Sequence, residues 1–235
     1  MRIAGYSRSG TTLLFNIIRI LVREKIDPNV IGQYDENQIL YYPLTFNDRM
    51  PVIVKSHQNC LLAEELLAGK LKQRRMLFFS TLRYLEDSLC SHRTLDPFWN
   101  LTERCEWDHW DIEVCRKPRR YNYTMIFENV DRSPLYWKQV IREVSEVLGV
   151  SEAMNEWDYS KIIDELNHLR ISERTKFPDG HPYSLVHHIH RHKSWQRMFL
   201  CPPLDSYAVI RSSSKCTAAR SWIRSAIDNQ TIPLV

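Results

Sequence analysis

Apolar and polar positions along this chain follow two different periods. Met1-Arg2-Ile3-Ala4 is a short apolar start that ends at a glycine and reads as a strand. Thr11 to Glu24 is apolar except at Thr12, Asn16, Arg19 and Arg23, a polar stripe at helical spacing. That pattern predicts a largely buried helix. Val52-Ile53-Val54, Met76 to Ser80 and Tyr123 to Phe127 predict further strands. Between them, Leu61 to Gln73, Leu85 to Leu95 and Leu135 to Leu148 predict helices, the last closed by Gly149 as a C-cap. Asp158 to Leu169 and Ser214 to Asp228 predict two more. Ser172 to Ser194, rich in His, Pro and Arg, reads as a loop or lid. Strands alternating with helices of this length predict parallel strands joined by right-handed crossovers. With no internal repeat and no linker, a single domain over 1–235 is expected.

Composition narrows the class. Of 235 residues, 43% are hydrophobic and 26% charged, which excludes disordered and fibrous chains. The net charge of +4, from 32 Lys+Arg against 28 Asp+Glu, is mild and dispersed. It argues against a nucleic-acid surface and fits a pocket for a small polyanion. No stretch reaches the roughly 18–20 apolar residues of a membrane span, and the N-terminus shows no secretory pattern. The six cysteines (60, 90, 105, 115, 201 and 216) show no CxxC and no zinc-like spacing. Reduced thiols in a cytoplasmic protein are therefore expected, with no metal site. The tripeptides beginning at Asn100, Asn122 and Asn229 match the glycosylation pattern but need a secretion route to matter.

Two of only six glycines bracket one loop, Gly5-Tyr6-Ser7-Arg8-Ser9-Gly10, between the first strand and the first helix. Such a loop turns backbone N–H groups and the positive end of the helix dipole toward one point, which favours an oxyanion. Thr11 and Thr12 add hydroxyls at the first helical turn, and Arg8 adds a permanent charge that a plain tight turn does not require. The glycine spacing fits the Walker pattern, yet Thr11 stands where nucleoside triphosphatases carry lysine. The strand at Met76-Leu77-Phe78-Phe79 runs into Ser80-Thr81, without the carboxylate that helps to hold magnesium. A cradle lacking both partners points to a single 5′-phosphate and to chemistry that needs no metal.

Tyr6-Ser7-Arg8-Ser9-Gly10-Thr11-Thr12 resembles the 5′-phosphosulfate loop, Tyr-Pro-Lys/Arg-Ser-Gly-Thr-Thr, of the sulfotransferases that use 3′-phosphoadenosine 5′-phosphosulfate (PAPS). Three more segments match that family in order. Val54-Lys55-Ser56-His57 is similar to its Lys-Thr-His at a strand end. Arg83, Asp87 and Ser91 resemble its Arg-x-x-x-Asp-x-x-x-Ser element. Phe127-Glu128-Asn129-Val130, leading to Val147-Leu148-Gly149-Val150, is like its Tyr-Glu-Asp-Leu strand end and Leu-Gly-Val helix end. The likeness covers about residues 1–150 well and, through Trp195 and Phe199, the later segment weakly.

The resemblance implies an α/β fold, a P-loop three-layer sandwich with a central parallel sheet flanked by helices. It implies PAPS as co-substrate and the 3′,5′-bisphosphate PAP as product. His57 would be the general base, with Lys55 and Arg8 on the transferring group. Arg8, Ser9, Gly10, Thr11 and Thr12 would hold the 5′-phosphosulfate, and Arg83 and Ser91 the 3′-phosphate, with Arg191 or Lys193 closing over it. Segments 97–121 and 172–200 would cover the site. An imidazole with a pKa near ~6.5 suits removal of a proton from an acceptor hydroxyl. Glu128 reads as structural, bonding backbone near the site.

The chain departs from the family at Leu13, where many members stack a Trp on adenine, at Asn59, which replaces a proline, and before Trp195, where no Arg-Lys-Gly stands. Trp99, Trp107 and Trp110 lie among Glu103, Glu106, Asp108, Asp111 and Glu113. They read either as an acceptor wall for a cationic group or, preferred, as a surface helix packing its tryptophans inward. The expected partner is a small hydroxylated (or N-hydroxyl or amine) acceptor, with no nucleic acid and no membrane. A P-loop nucleotide kinase and a non-catalytic nucleotide-binding module are the alternatives. A Golgi-type carbohydrate sulfotransferase fits less well, given Lys-x-His in place of an acidic base and no visible anchor.

Overall fold

The computed structural model describes residues 1–6, 9–33, 51–56, 77–95, 100–106, 121–132, 134–168, 174–176, 182–184, 208 and 210–228. The first strand, β1 (Arg2–Ala4), has three residues and lies at the middle of the sheet. β2 (Ile31–Gln33), β3 (Val52–Ser56), β4 (Phe78–Leu82) and β5 (Tyr123–Ile126) complete the order β2-β3-β1-β4-β5. All four pairings are parallel. Ala4 pairs with Ser56 on one side and with Ser80 on the other. The strand that leads into the glycine loop and the strand that leads toward His57 therefore end level. Because β1 connects outward to β2 while β4 lies on its other side, this edge is a topological switch point, where open α/β sheets bind ligands.

Helices cover both faces of this sheet. They are α1 (Thr11–Lys25), α2 (Leu85–Leu95), α3 (Phe127–Arg132), α4 (Pro134–Leu148), α5 (Glu156–His168) and α6 (Ser214–Asp228). Successive strand residues point to opposite faces, so two cores form. Ile3, Ile53, Phe79, Tyr123 and Met125 pack with α1, α4 and α5. Leu82 and Ile126 pack with Leu85 and Leu89 of α2 and with Ala219, Ile223 and Ile227 of α6. Each fully buried Leu or Ile contributes roughly 1.5–3 kcal/mol, so packing rather than helix propensity holds α1 in place.

The polar stripe of α1 does not face water. Asn16 is fully buried, Thr12 nearly so, and Arg23 makes two hydrogen bonds to the Glu165 carboxylate of α5, at 2.9 and 2.6 Å. Lys25 pairs with Asp158 at 2.8 Å and Lys161 with Glu24 at 2.6 Å, so α5 closes over the stripe as an ionic seam. The α5 start is set by a reciprocal cap: Asp158 N–H donates to Asn155 Oδ1 and Asn155 N–H to Asp158 Oδ2. Gly149, at φ 74°, ends α4 with the expected left-handed cap. Its N–H and that of Val150 bond the Glu146 and Ser145 carbonyls.

Several boundaries differ from expectation. β4 begins at Phe78, after Met76 and Leu77, and extends to Leu82, because Phe79 and Leu82 are drawn into opposite cores. Phe127 opens α3 instead of ending β5. β2 carries no recognisable signal, being three residues with a central glycine at a sheet edge. The stretch expected as a loop holds an antiparallel pair, β6 (Arg174–Lys176) with β7 (Pro182–Ser184). The helix expected over Leu61 to Gln73 lies outside the described residues, as do Trp99, Trp107 and Trp110. In the 97–121 segment, residues 101–106 are helical.

The expectation of reduced thiols throughout is corrected at one pair. Cys105 and Cys216, with Cα atoms 5.8 Å apart and 111 residues between them in sequence, form a disulfide inside the second core. Sequence spacing carries no trace of a pair that meets only through the packing of α6 on the 101–106 helix. Such bonds persist in oxidising compartments, so the cysteines no longer support a cytoplasmic location. No helix among the described residues is long and apolar enough to cross a membrane. Non-reducing peptide mapping is expected to recover the Cys105 and Cys216 peptides linked, and replacing both by serine is expected to cost about 2–4 kcal/mol in denaturant unfolding.

Candidate functional site

The site grows from the contact between β1 and its neighbours. A Cβ on Gly5 would run into Thr81 Oγ1 of β4 and come within 2.7 Å of Ser9 Oγ and 2.8 Å of Thr11 Cγ2. Only glycine lets the chain leave the strand so close to β4. Ser9, fully buried, bonds through its hydroxyl to the Tyr6 carbonyl and to Thr81 Oγ1, both at 2.6 Å, and donates its backbone N–H to the same carbonyl at 3.2 Å. Its polar atoms build the loop. Gly10 then caps α1 in the left-handed region at φ 102°. A Cβ there would run into the Phe127 ring and come within 3.0 Å of Met125 Cε.

This brings α1 to the switch point with its N-terminus dressed for an anion. Gly10 gives no side-chain cap, and the first turn has no acidic residue. The first backbone N–H groups of a helix have no intrahelical acceptor, and they sit at the positive end of its dipole. Thr11 and Thr12 are buried in that turn. Lys55, on β3 and only 1% exposed, reaches across to donate to Thr12 Oγ1 at 2.6 Å. The neighbouring strand thus delivers to the loop the ammonium that residue 11 does not carry. A buried cation is costly unless negative or dipolar groups surround it, so its placement beside a helix N-terminus favours an anionic ligand there.

Arg83 enters from the other side. Its backbone N–H donates to the Tyr6 hydroxyl at 2.8 Å, tying the β4 end to the loop. Its guanidinium, on a residue only 4% exposed, lies over the Phe127 ring, 4.5 Å from the centroid. The same ring bars a side chain at Gly10, so the loop and Arg83 are neighbours through one aromatic residue. Phe127 is the contributor that sequence reasoning missed. Its only signal is an aromatic residue directly after a strand, within a segment matched to the family for other reasons.

Glu128 follows it. Its Oε1 accepts the Tyr84 N–H at 2.5 Å, which bears out its reading as a backbone-bonding residue, while Oε2 is buried with no hydrogen-bond partner among the described residues. Burial pushes its carboxyl up to about 7, against the pull of the Tyr84 N–H, its own backbone N–H and the Arg83 charge.

Of the residues singled out from sequence, Gly10, Thr11, Thr12 and Lys55 meet at the α1 N-terminus, and Arg83 stands one ring away. Ser91, half-buried, lies in α2, about 9 Å along its axis from the first helical residue, so two turns separate it from Arg83. Arg8, His57, Arg191 and Lys193 lie outside the described residues. His57 directly follows Ser56, the β3 residue paired with Ala4. Leu13, at the position of the family's stacking Trp, is buried in the first core. The chain matches no protein-family model, no curated protein and no solved structure.

Two outcomes follow for stability. Gly10→Ala combines a left-handed backbone with the Phe127 clash and is expected to cost about 2–4 kcal/mol by denaturant titration. Glu128 is protonated more readily folded than unfolded, so its contribution is present below its ordinary carboxylate range and is lost as pH rises through about 7. Glu128→Gln is therefore expected to gain stability relative to the parent between pH 5 and 8, by up to ~3 kcal/mol. A constant difference across that range would contradict the assignment.

Proposed function

We propose that the protein is a sulfotransferase that moves a sulfuryl group from PAPS to a hydroxyl (or N-hydroxyl or amine) of a small molecule. The observation that carries this reading is the uncapped α1 N-terminus at a glycine loop, with buried Lys55 donating to Thr12. It is the site a single 5′-phosphosulfate requires, and it stands where the sequence resembles the family's phosphosulfate loop. The parallel sheet with helices on both faces and β1 at the switch point is compatible with the P-loop three-layer sandwich that the resemblance implies.

In this reading the loop amides, Arg8 and Thr11 hold the 5′-phosphosulfate, and Arg83 with Ser91 holds the 3′-phosphate, Arg191 or Lys193 closing over it. PAPS supplies the sulfuryl group. His57 takes the proton of the acceptor hydroxyl as its oxygen attacks sulfur in line. The new O–S bond forms while the bond from sulfur to the bridging phosphate oxygen breaks, and PAP leaves with the electron pair. Lys55 and Arg8 stabilise the charge that grows on that bridging oxygen. No metal enters this scheme.

PAP is expected to raise the melting temperature by mass action, and more than adenosine 5′-phosphosulfate, which lacks the 3′-phosphate. Equal shifts would remove the roles of Arg83 and Ser91, and a larger shift with ATP–Mg would favour the P-loop kinase instead. His57→Ala is expected to keep PAP binding and lose at least about 100-fold in transfer, measured as PAP release with a panel of phenols and amines. Absence of turnover in the parent alongside tight PAP binding would support the non-catalytic module.

A further inference from the structure

One oxygen of the Glu128 carboxyl has a structural duty, and the other stands apart from it. Glu128 is 8% exposed, its Oε1 is committed to the Tyr84 N–H at the β4–α2 junction, and its Oε2 is buried with no hydrogen-bond partner among the described residues. Arg83 precedes Tyr84 in that junction, and its guanidinium rests on Phe127, the residue before Glu128. One carboxylate thus fixes the peptide next to Arg83 while its second oxygen stands in the field of the same arginine. The other groups around it are Asp87 of α2 and Tyr84 itself. The Tyr84 hydroxyl donates to Asp228, and Arg224 of α6 lies over the Tyr84 ring.

We propose that Glu128 is a positioning residue for Arg83 and couples the arrival of a phosphorylated ligand at that guanidinium to uptake of a proton. This rests on the reading of Arg83 as a phosphate clamp. The balance is simple. In the empty site the Arg83 charge offsets part of a carboxylate that burial disfavours. A phosphate that engages the guanidinium takes that compensation away and adds negative charge nearby. The carboxyl then holds its proton more tightly, so the complex carries a proton, on Oε2, that the free protein partly lacks. By reciprocity, binding weakens as pH rises through the range where the free carboxyl titrates. The ligand's own second phosphate ionisation, near pH ~6, acts in the opposite sense if the dianion binds. The comparison must therefore be made against a variant and not against pH alone.

Glu128→Gln keeps an acceptor for the Tyr84 N–H and cannot titrate. Calorimetric titration with PAP, from pH 6 to 8 and in two buffers of different ionisation enthalpy, measures affinity and proton uptake for both proteins. The expected result is a parent-to-variant affinity ratio that falls on the order of tenfold across the range, with extra proton uptake in the parent near pH 7. Parallel pH profiles with equal proton uptake overturn the role of Glu128 while leaving the phosphate site standing. No PAP binding by the parent at any pH overturns the phosphate site and this inference together. Glu128→Ala, measured in the same way, separates the two duties. It should lower affinity at every pH, because the Tyr84 N–H loses its acceptor and Arg83 its support, and undiminished affinity would show that Glu128 does not position Arg83.

Discussion

The close approach of the chain to β4 as it leaves β1 is the constraint on which the rest of the site depends. Gly5 has no room for a side chain against Thr81, Ser9 and Thr11, and the Ser9 hydroxyl bonds Thr81 directly. That lock determines where α1 begins. The lysine on β3 is then presented to that helix end, because β1 and β3 finish level, while β4 runs past Ser80, the partner of Ala4, to Leu82 and brings the arginine in behind the loop. Were the loop looser, neither Lys55 nor Arg83 would have a fixed partner near the loop, and the helix dipole would point at no defined place. The anion site is thus a consequence of backbone packing before it is a consequence of charge.

Two features distribute the charge. Lys55 donates to a threonine of α1, which sets its ammonium beside the loop. Arg83 is held against an aromatic face, with a titrating carboxyl next in chain to that aromatic. The surroundings of Arg83 therefore change with pH. On the α2–α6 face, Arg220 and Arg224 both bond Glu86, at 2.5 and 3.0 Å.

Much of this architecture is legible in the sequence. The helices over 11–25, 85–95, 134–148, 156–168 and 214–228 follow from long periodic segments with local caps, and their signals are local in the chain. The loop's glycines, Lys55 and Arg83 were reached through residue type and motif resemblance. Glu128 reads from sequence as a backbone acceptor, as it is, but its second oxygen, buried with no hydrogen-bond partner among the described residues, leaves no sequence signal. The elements that escaped, β2, the short α3 and the β6–β7 pair, have three to six residues, too few for a period to register.

What local sequence settles here is which segments turn, which become helix and which carry anion-seeking side chains, because caps, glycine geometry and periodicity act over a few residues. Contacts between distant segments decided the remainder. Ser9 spends its hydroxyl on Thr81, the α1 polar stripe is closed by α5, and Phe127 joins Gly10 to Arg83. Cys105 finds Cys216 across 111 residues of chain. Each of these depends on strand order and layer packing, and pairings of that kind leave no local pattern, since any of several partners of the same chemistry would satisfy the same residue.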